Sequence, residues 1–431
     1  MAKIIPFRGL RYNKHKVGRL DKVVAPPYDV IGRRRQSELY NADRRNFIRI
    51  DFGREEKGDS SRHNKYIRAK HFLENWIRQG VLVRDSQPSF YTYEQEFILD
   101  GKRLRRLGFI GLLKLEALSQ GVVFPHEKTF CKPKEDRLNL MKAVRANLSP
   151  IFGLYRDDGS KVDNLLSGSY AGSKPIINIK FEGIRHRLWK ISGPAVISRL
   201  INCMADKKIF IADGHHRYEV ACLYKKLTAR SSDVSADYVM MYFCNLKSGG
   251  LKILPTHRVL KYVAPEKLNN LSNILSPYFQ IQKLSSAKEL FLRLKNAKPG
   301  RQVFGAYAAG RKFYLLTLNK GKIGCIPKAG VRCYNRLDVV LLHQLILSKI
   351  LGVKEDKEGG SNIFYTHDCR QALSLVDPGG YKLAFFMNPP RPSQVSEIAS
   401  ALKVMPRKST YFFPKPLSGL VINSLDKDAS L

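Results

Sequence analysis

Residues 207–226 read KKIFIADGHHRYEVACLYKK, and this stretch organises the rest of the chain. Ile209, Phe210 and Ile211 form a short apolar run with the composition of a buried strand. Gly214 allows a sharp reversal, and Tyr218, Ala221 and Cys222 then recur at helical spacing. The pattern predicts strand, tight turn and helix, with His215, His216 and Arg217 in the first helical turn. A helix start exposes unpaired N–H groups and the positive end of the helix dipole, both of which favour an anion. A guanidinium beside them can grip a phosphate through two hydrogen bonds. Asp213 has three uses open to it, as helix cap, proton acceptor or metal ligand. The competing structural reading makes Asp213 a cap and packs or solvates the histidines. Adjacent histidines on a helix diverge, so no metal site is expected from them. Arg217 is expected to add little to packing.

A second dense polar stretch is FPHEKTFCKPKEDRLNLMKAVRANLSPIFGLY, residues 124–155. His126 and Glu127 have the chemistry of a base and its orienting group, and Lys134 and Arg137 can neutralise phosphate charge. Apolar spacing resumes at Leu138, Leu140, Met141 and Val144, so the cluster occupies a loop and a helix start. The alternative is a solvated charged loop. Two weaker sites complete the set. VVAPPYDVIG (23–32) fixes Tyr28 and Asp29 behind a rigid Pro-Pro turn, and MPRKSTYFFPKPLSGL (405–420) mixes Lys408, Ser409, Thr410 and Lys415 with aromatics. The second reads as an anchored terminal strand or as a phosphate lining.

The bulk properties narrow the class. The 431 residues are 44% hydrophobic, which suits two or three folded domains. Lys+Arg total 75 against 37 Asp+Glu, a net charge of +38 spread along the chain. Such a surface attracts nucleic acid, anionic membranes or phosphorylated ligands. The seven cysteines are an odd number without a C-x-x-C pair, so neither a disulfide framework nor a zinc knuckle is indicated. The first residues lack a signal-peptide core, and no apolar run reaches the roughly 18 residues of a membrane span. A cytoplasmic protein is expected.

Organisation follows from turn and period signals. YIRAKHFLENWIRQG places Tyr66, Ala69, Leu73, Trp76 and Ile77 on one helical face, ending at Gly80. Hairpins are expected at Asp100-Gly101 and around Gly183. Beyond a boundary near residue 265 the pattern gives a helix over 266–275, strands near 278–283, 302–308 and 312–318, a helix over 337–351 and a strand in YKLAFFMN. The expectation is an α/β or α+β chain of mixed sheets with helices. Residues 1–265 form one region, carrying the His-Glu and Asp-Gly-His-His-Arg motifs, and 266–431 a C-terminal α/β domain.

With these motifs in place, the chain resembles the DUF1015 family of prokaryotic proteins. The matching pieces are IIPFRGLRYN, APPYDVI, YTYEQEF, HEKT, PKEDRLNLMKAVRANLSPIFGLY, IADGHHRYEVA, LPTHRVL and MPRKSTYFFPKPLSGLVI. ADGHHRYEVA is also similar to the phosphate-binding turn of the ParB/sulfiredoxin superfamily, especially its free-serine kinases. That likeness covers about ten residues. It implies a ParB/sulfiredoxin-like nucleotide-binding core, with Asp213, Gly214, His215, His216 and Arg217 as a nucleotide-phosphate site. The kinases' catalytic glutamate is not aligned by it, and Glu127 is nominated on chemistry.

The readings that follow come from different classes. One is a phosphotransferase or nucleotide hydrolase acting on a small polar metabolite. It would bind ATP or ADP with Mg²⁺, with Glu127, His126, Asp213 and His216 in catalytic roles and Gly214, His215, Arg217, Lys134 and Arg137 holding the nucleotide. No P-loop and no kinase Gly-rich loop is present, so the nucleotide would use this different turn. The other is a nucleotide-regulated nucleic-acid-binding protein, favoured by charge but lacking a clear helix-turn-helix. A metabolite binder without catalysis is a third. A shared cleft for His126-Glu127 and the Asp213–Arg217 turn is expected. Oligomeric state is not readable. Tyr411, Phe412, Phe413, Leu417, Leu420 and Val421 are too apolar to be left in water, at about 1.5–3 kcal/mol per large side chain buried. Deleting residues 404–431 is therefore expected to lower the melting temperature; an unchanged value would show a dispensable tail.

Overall fold

The computed structural model describes residues 1–127, 129, 131–229, 234–298, 300–325, 332–353, 362–377 and 380–426. The chain forms two compact units. The first comprises residues 1–125, 129–251 and 414–431, and the second residues 126–128 and 252–413. Position 265, the boundary expected from sequence, begins a short helix inside the second unit. The tail expected with the C-terminal domain belongs instead to the first unit, because its apolar residues are buried there.

The first unit is built on a nine-stranded mixed sheet. Its strands are β1 (Ile4–Ile5), β2 (Phe90–Leu99), β3 (Lys102–Lys114), β4 (Val123–Phe124), β5 (Ile151–Tyr155), β6 (Ile177–Phe181), β7 (Ile184–Ile191), β8 (Ile209–Asp213) and β9 (Tyr238–Asn245). They lie in the order β4-β8-β5-β9-β3-β2-β7-β6, with β1 on β3. β4–β8 and β5–β9 are parallel pairs, and the remainder are antiparallel. Both expected hairpins form. Asp100 and Gly101 have φ of 50° and 75°, and Glu182 and Gly183 have 47° and 80°, the left-handed pair that matches strand twist in a two-residue turn.

One face of the sheet buries Phe90, Phe109, Ile151, Ile209, Met241 and Phe243. Three helices cover it: α3 (Lys161–Ser169) with Val162 and Leu166, α4 (Pro194–Met204) with Leu200 and Met204, and α5 (His215–Thr228) with Tyr218 and Ala221. α1 (Lys65–Arg78) buries Ala69, Leu73 and Trp76 and stops at Gly80, φ 66°. Ile77, expected on that face, is exposed because it lies one residue beyond the stripe. Cys131–Val144 forms α2.

The C-terminal segment joins this unit through its backbone. Asn423 and Ser424 pair with Asn147 and Ala146, Ile422 bridges Leu10, and Ser418 bridges Ala25. Leu420, Val421 and Ile422 are buried. Arg106 is fully buried beside it and donates to Gln95 Oε1 and to the Pro414 carbonyl, with its guanidinium 4.6 Å from the Phe152 ring. A charge at zero exposure is tolerated only where hydrogen bonds and ring faces replace water.

The second unit holds a six-stranded antiparallel sheet. Its strands are β10 (His257–Leu260), β11 (Phe279–Leu284), β12 (Val303–Ala308), β13 (Lys312–Leu318), β14 (Ile363–Thr366) and β15 (Leu383–Met387), in the order β11-β13-β12-β15-β10-β14. α6 (Ala287–Lys295) and α7 (Cys369–Val376) cover it through Leu290, Leu294, Ala372 and Val376. The helix expected over 266–275 is two helices, Pro265–Asn269 and Leu271–Leu275, broken at Asn270. The helix expected over 337–351 is α-helical over Asp338–Leu341 and π-helical over Leu342–Ile350.

Close packing leaves some positions without room. A Cβ on Gly108 would sit 2.2 Å from the Phe243 carbonyl oxygen of the neighbouring strand, a contact that only backbone movement relieves. Gly108→Ala is expected to cost roughly 3 kcal/mol, the upper part of the range for overpacking. Urea unfolding checks this, and a cost under about 1 kcal/mol would show that the β3–β9 pair is looser than drawn.

Candidate functional site

The turn after β8 takes the form read from sequence. Gly214 is the N-cap of α5 with φ 92° and ψ 29°, a conformation in which a side chain is strained. It also supplies space: a Cβ there would lie 2.9 Å from Arg217 Nε and 3.0 Å from Cζ. The Arg217 guanidinium therefore folds back over the turn. Its Nη2 donates to Asp213 Oδ2 at 2.6 Å, and its Nη1 donates to the Pro150 carbonyl at 2.6 Å. Its Nε is buried without a hydrogen-bond partner. This differs from the expectation of an arginine that adds little to packing. The side chain is 11% exposed and ties the helix start to the end of β8 and to the residue before β5. The N-cap has no side chain to offer, and Asp213 serves the ion network.

That network continues. Lys415 Nζ lies 2.6 Å from Asp213 Oδ1 and also donates to Asp29 Oδ2. Arg217, Asp213, Lys415 and Asp29 thus alternate in sign, drawn from the turn, from the PKP stretch and from the APPYD stretch. Burial alone would lower the Lys415 ammonium, but the two carboxylates outweigh it and raise its pKa. Tyr28, next to Asp29, has its hydroxyl pushed up to about 12, chiefly by burial and against the pull of Arg137 and Arg217.

Arg137 lies under the Tyr28 ring, 4.2 Å from its centroid. It is buried and donates to the Asp51 carbonyl at 2.6 Å and to Asp136 Oδ2 at 2.6 and 2.9 Å. Asp51 Oδ2 accepts from Ser149 Oγ at 2.9 Å. Desolvation works to raise the Asp136 carboxyl, yet Arg137 and Lys65 together hold it below the usual range. Between these groups lies a cavity of about 40 Å³, lined in part by Tyr28, Asp51, Arg137, Ser149 and Arg217. That is room for one or two waters and not for a nucleoside. Lys134, exposed by about a third, pairs with Glu219 of α5 at 3.0 Å, and Glu219 also accepts from Thr129 Oγ1. His215 is buried and His216 partly so, both in the first turn of α5.

His126 and Glu127 belong to the second unit. His126 is fully buried, with Nε2 2.8 Å from Thr410 Oγ1 and its ring edge-on to Phe412. Glu127 Oε1 accepts from the N–H groups of Ser409 and Thr410 at 3.2 Å each and from the Thr410 hydroxyl at 3.1 Å. The pair clips residues 405–410 through a short backbone bridge, Glu127 to Met405. Seven of the nine nominated residues (Asp213, Gly214, His215, His216, Arg217, Lys134 and Arg137) thus fall in the first unit, and two in the second.

Sequence reading placed Asp29 and Lys415 among weaker sites and did not connect them to the turn. Asp51, Ser149 and the Pro150 carbonyl carried no signal of their own. A lysine between two prolines, PKP, in an otherwise apolar segment was the available clue. Among the described residues no group of three or more His, Cys, Asp or Glu is gathered to hold a metal, and no helix is long and apolar enough to cross a membrane; Cys131, Cys203, Cys222, Cys244 and Cys369 form no disulfide.

The family model for "Protein of unknown function (DUF1015)" matches residues 4–340, and the chain belongs to that family. No curated protein sequence matches it. Among solved structures it is similar to a conserved hypothetical protein from Pyrococcus furiosus, at 12% identity over 71% of this chain and 91% of that one, TM-score 0.34. It is also similar to a free serine kinase in complex with AMP, at 13% identity over 70% and 86%, TM-score 0.35. A third is C-terminally truncated SbnI from Staphylococcus aureus, at 11% identity over 72% and 85%, TM-score 0.34.

The Arg217 contacts predict a stability role separable from ligand binding. Arg217→Ala removes two hydrogen bonds, one to the Pro150 carbonyl and one to Asp213. It should lower the opening free energy of the first turns of α5 by about 2 kcal/mol, the scale of lost charge-assisted hydrogen bonds. Amide hydrogen exchange of residues 209–220 reads this directly. Unchanged protection would show the guanidinium to be free for a ligand at no structural cost.

Proposed function

We propose that the first unit binds a nucleotide by its phosphates at the turn between β8 and α5, and that the protein is a phosphotransferase or nucleotide hydrolase acting on a small polar metabolite. The observation that carries the reading is the alternating chain Arg217–Asp213–Lys415–Asp29 at a helix start. Positioning and neutralisation of charge are what phosphoryl transfer demands of a protein. Here Arg217 stands in the first turn of α5, Lys415 and Asp29 join it through Asp213, and no acidic residue occupies that first turn.

In the ligand-free arrangement each cation is held by a carboxylate. An arriving phosphate competes with Asp213 for Arg217 and Lys415, and the displaced carboxylate becomes available for a proton or a cation. Mg²⁺ asks one or two protein carboxylates and takes its remaining ligands from phosphate and water. Asp213 and Asp29, already gathered on one ammonium, would be those carboxylates. The ion would supply neutralisation of the phosphate oxygens. Arg217 and Lys415 would orient the phosphate chain, and Arg137 under Tyr28 would fix the floor. The cavity of about 40 Å³ is too small for base and sugar, so in this reading they would lie on the open side of the turn. His216, in the first turn of α5, directly precedes Arg217. His126 and Glu127 hold residues 405–410 in the second unit, and their catalytic nomination rests on side-chain chemistry alone.

The test is calorimetric and thermal-shift titration of the full chain with ATP, ADP, CTP and GTP, with and without Mg²⁺. Binding of at least one nucleotide is expected. Asp213→Asn keeps the shape while removing the charge, so it should retain nucleotide without Mg²⁺ and lose turnover. Lys415→Met paired with Asp29→Asn removes one charge of each sign, protecting the fold, and should weaken binding at least tenfold. Absence of binding to every nucleotide overturns the proposal. A second reading, nucleotide-regulated nucleic-acid binding, draws on the net charge of +38. Steeply salt-dependent DNA retention without turnover would favour it.

A further inference from the structure

The second unit contains a larger cavity, separate from every residue used so far. It encloses about 260 Å³ and is formed by the segment after α6, the loop entering the helix at Asp338 and the loop after β15. Four cationic side chains line it, one or two from each segment: Lys298, Arg301, Arg336 and Arg391. Among the described residues none of the four is ion-paired, although ion pairs are plentiful elsewhere in the chain. Four unpaired cations around one concavity repel one another, and a protein surface without a use for them would disperse them. An anion relieves the repulsion.

The floor carries the opposite feature. Asp338 lies among Leu337, Val339 and Met387 and makes no side-chain hydrogen bond or ion pair among the described residues. Desolvation pushes its carboxyl up to about 7. Asp338 is partly exposed where it lines the cavity, and a carboxylate facing a concavity attracts a hydrogen-bond donor or a cation. The rim therefore asks for negative charge, and the floor asks for a hydrogen-bond donor or a positive charge.

We propose that this cavity is a second small-molecule site, taking a compact metabolite that carries phosphate or carboxylate at one end and an amino group at the other. Lys298, Arg301, Arg336 and Arg391 hold the anionic end, and Asp338 receives the amine. The volume suits a molecule of amino-acid or amino-phosphate size. The site does not depend on nucleotide binding in the first unit, since it shares no residue with it.

Two probes of matched size separate the parts of the proposal. Phosphoethanolamine carries both ends, whereas glycerol 3-phosphate carries the anion without the amine. Titrated into the full chain at low salt, phosphoethanolamine should bind at least tenfold more tightly. Arg336→Ala with Arg391→Ala should weaken both probes at least tenfold. Asp338→Asn should erase the preference between them while leaving glycerol 3-phosphate as before. Asp213→Asn, in the other unit, should change none of these values. Binding of neither probe, equal binding of the two by the parent, or binding that survives the double arginine substitution would each overturn the proposal. Both variants touch exposed or boundary positions, and an unchanged melting temperature distinguishes loss of the site from loss of the fold.

Discussion

A single buried ammonium holds three distant parts of the first unit in register. Lys415 is 8% exposed, and its charge is tolerable there only because Asp213 and Asp29 both face it. Remove the lysine, and two partly exposed carboxylates are left facing each other without the cation between them. Remove either carboxylate, and the ammonium keeps the other but loses part of the attraction that offsets its desolvation. The Asp213–Arg217 turn is thus set from both sides, by Lys415 on one oxygen and by Arg217 on the other. The helix start inherits its geometry from that balance. A site whose cations are all held by internal carboxylates is preorganised, yet it gives them up only to a ligand that competes with a carboxylate. Phosphate is such a ligand.

The basic composition looks different once the buried arginines are counted as structure. Arg106, Arg137 and Arg258 are buried, and each donates to main-chain carbonyls: Pro414 for Arg106, Asp51 for Arg137, and Thr256, Arg407 and Lys408 for Arg258. Arg217 does the same with Pro150. The guanidinium fork suits this work, since it satisfies several carbonyls in irregular segments where no ladder runs. Part of the positive charge therefore serves to bind loops to sheets. Net charge by itself overstates how much of it faces a partner.

The local grammar of the chain was legible. Asp100-Gly101 and Gly183 marked their hairpins because a two-residue turn needs positive φ, and Gly214 marked its turn for the same reason. The amphipathic stripe of α1 was readable at Ala69, Leu73 and Trp76, and misplaced Ile77 by one step because a helical face has blurred edges. What sequence could not supply was partnership. Asp29 and Lys415 are 386 residues apart, and nothing local says that they form an ion pair. The break at Asn270 was hidden as well, since the apolar spacing is continuous across it. Arg217 is the instructive case. Its position in a first helical turn suggested a ligand, whereas Gly214 leaves room for it to fold back onto Asp213, a use that spacing alone does not distinguish.

The return of residues 414–425 to the first unit bears on how the protein is made. A ribosome adding residues in order completes the stretch 252–413 while the first unit still lacks its last segment. Until then the carbonyl that Arg106 reaches, the ammonium between Asp213 and Asp29, and the strand at Asn423–Ser424 are all missing. The nascent unit must wait with the Arg106 guanidinium lacking its Pro414 partner and Tyr93 lacking the Leu417 N–H, and incompletely covered chains are prone to aggregate. The second sheet can close first, as its strands are contiguous in the chain. Translation order therefore makes the N-terminal half of this protein the last part to mature.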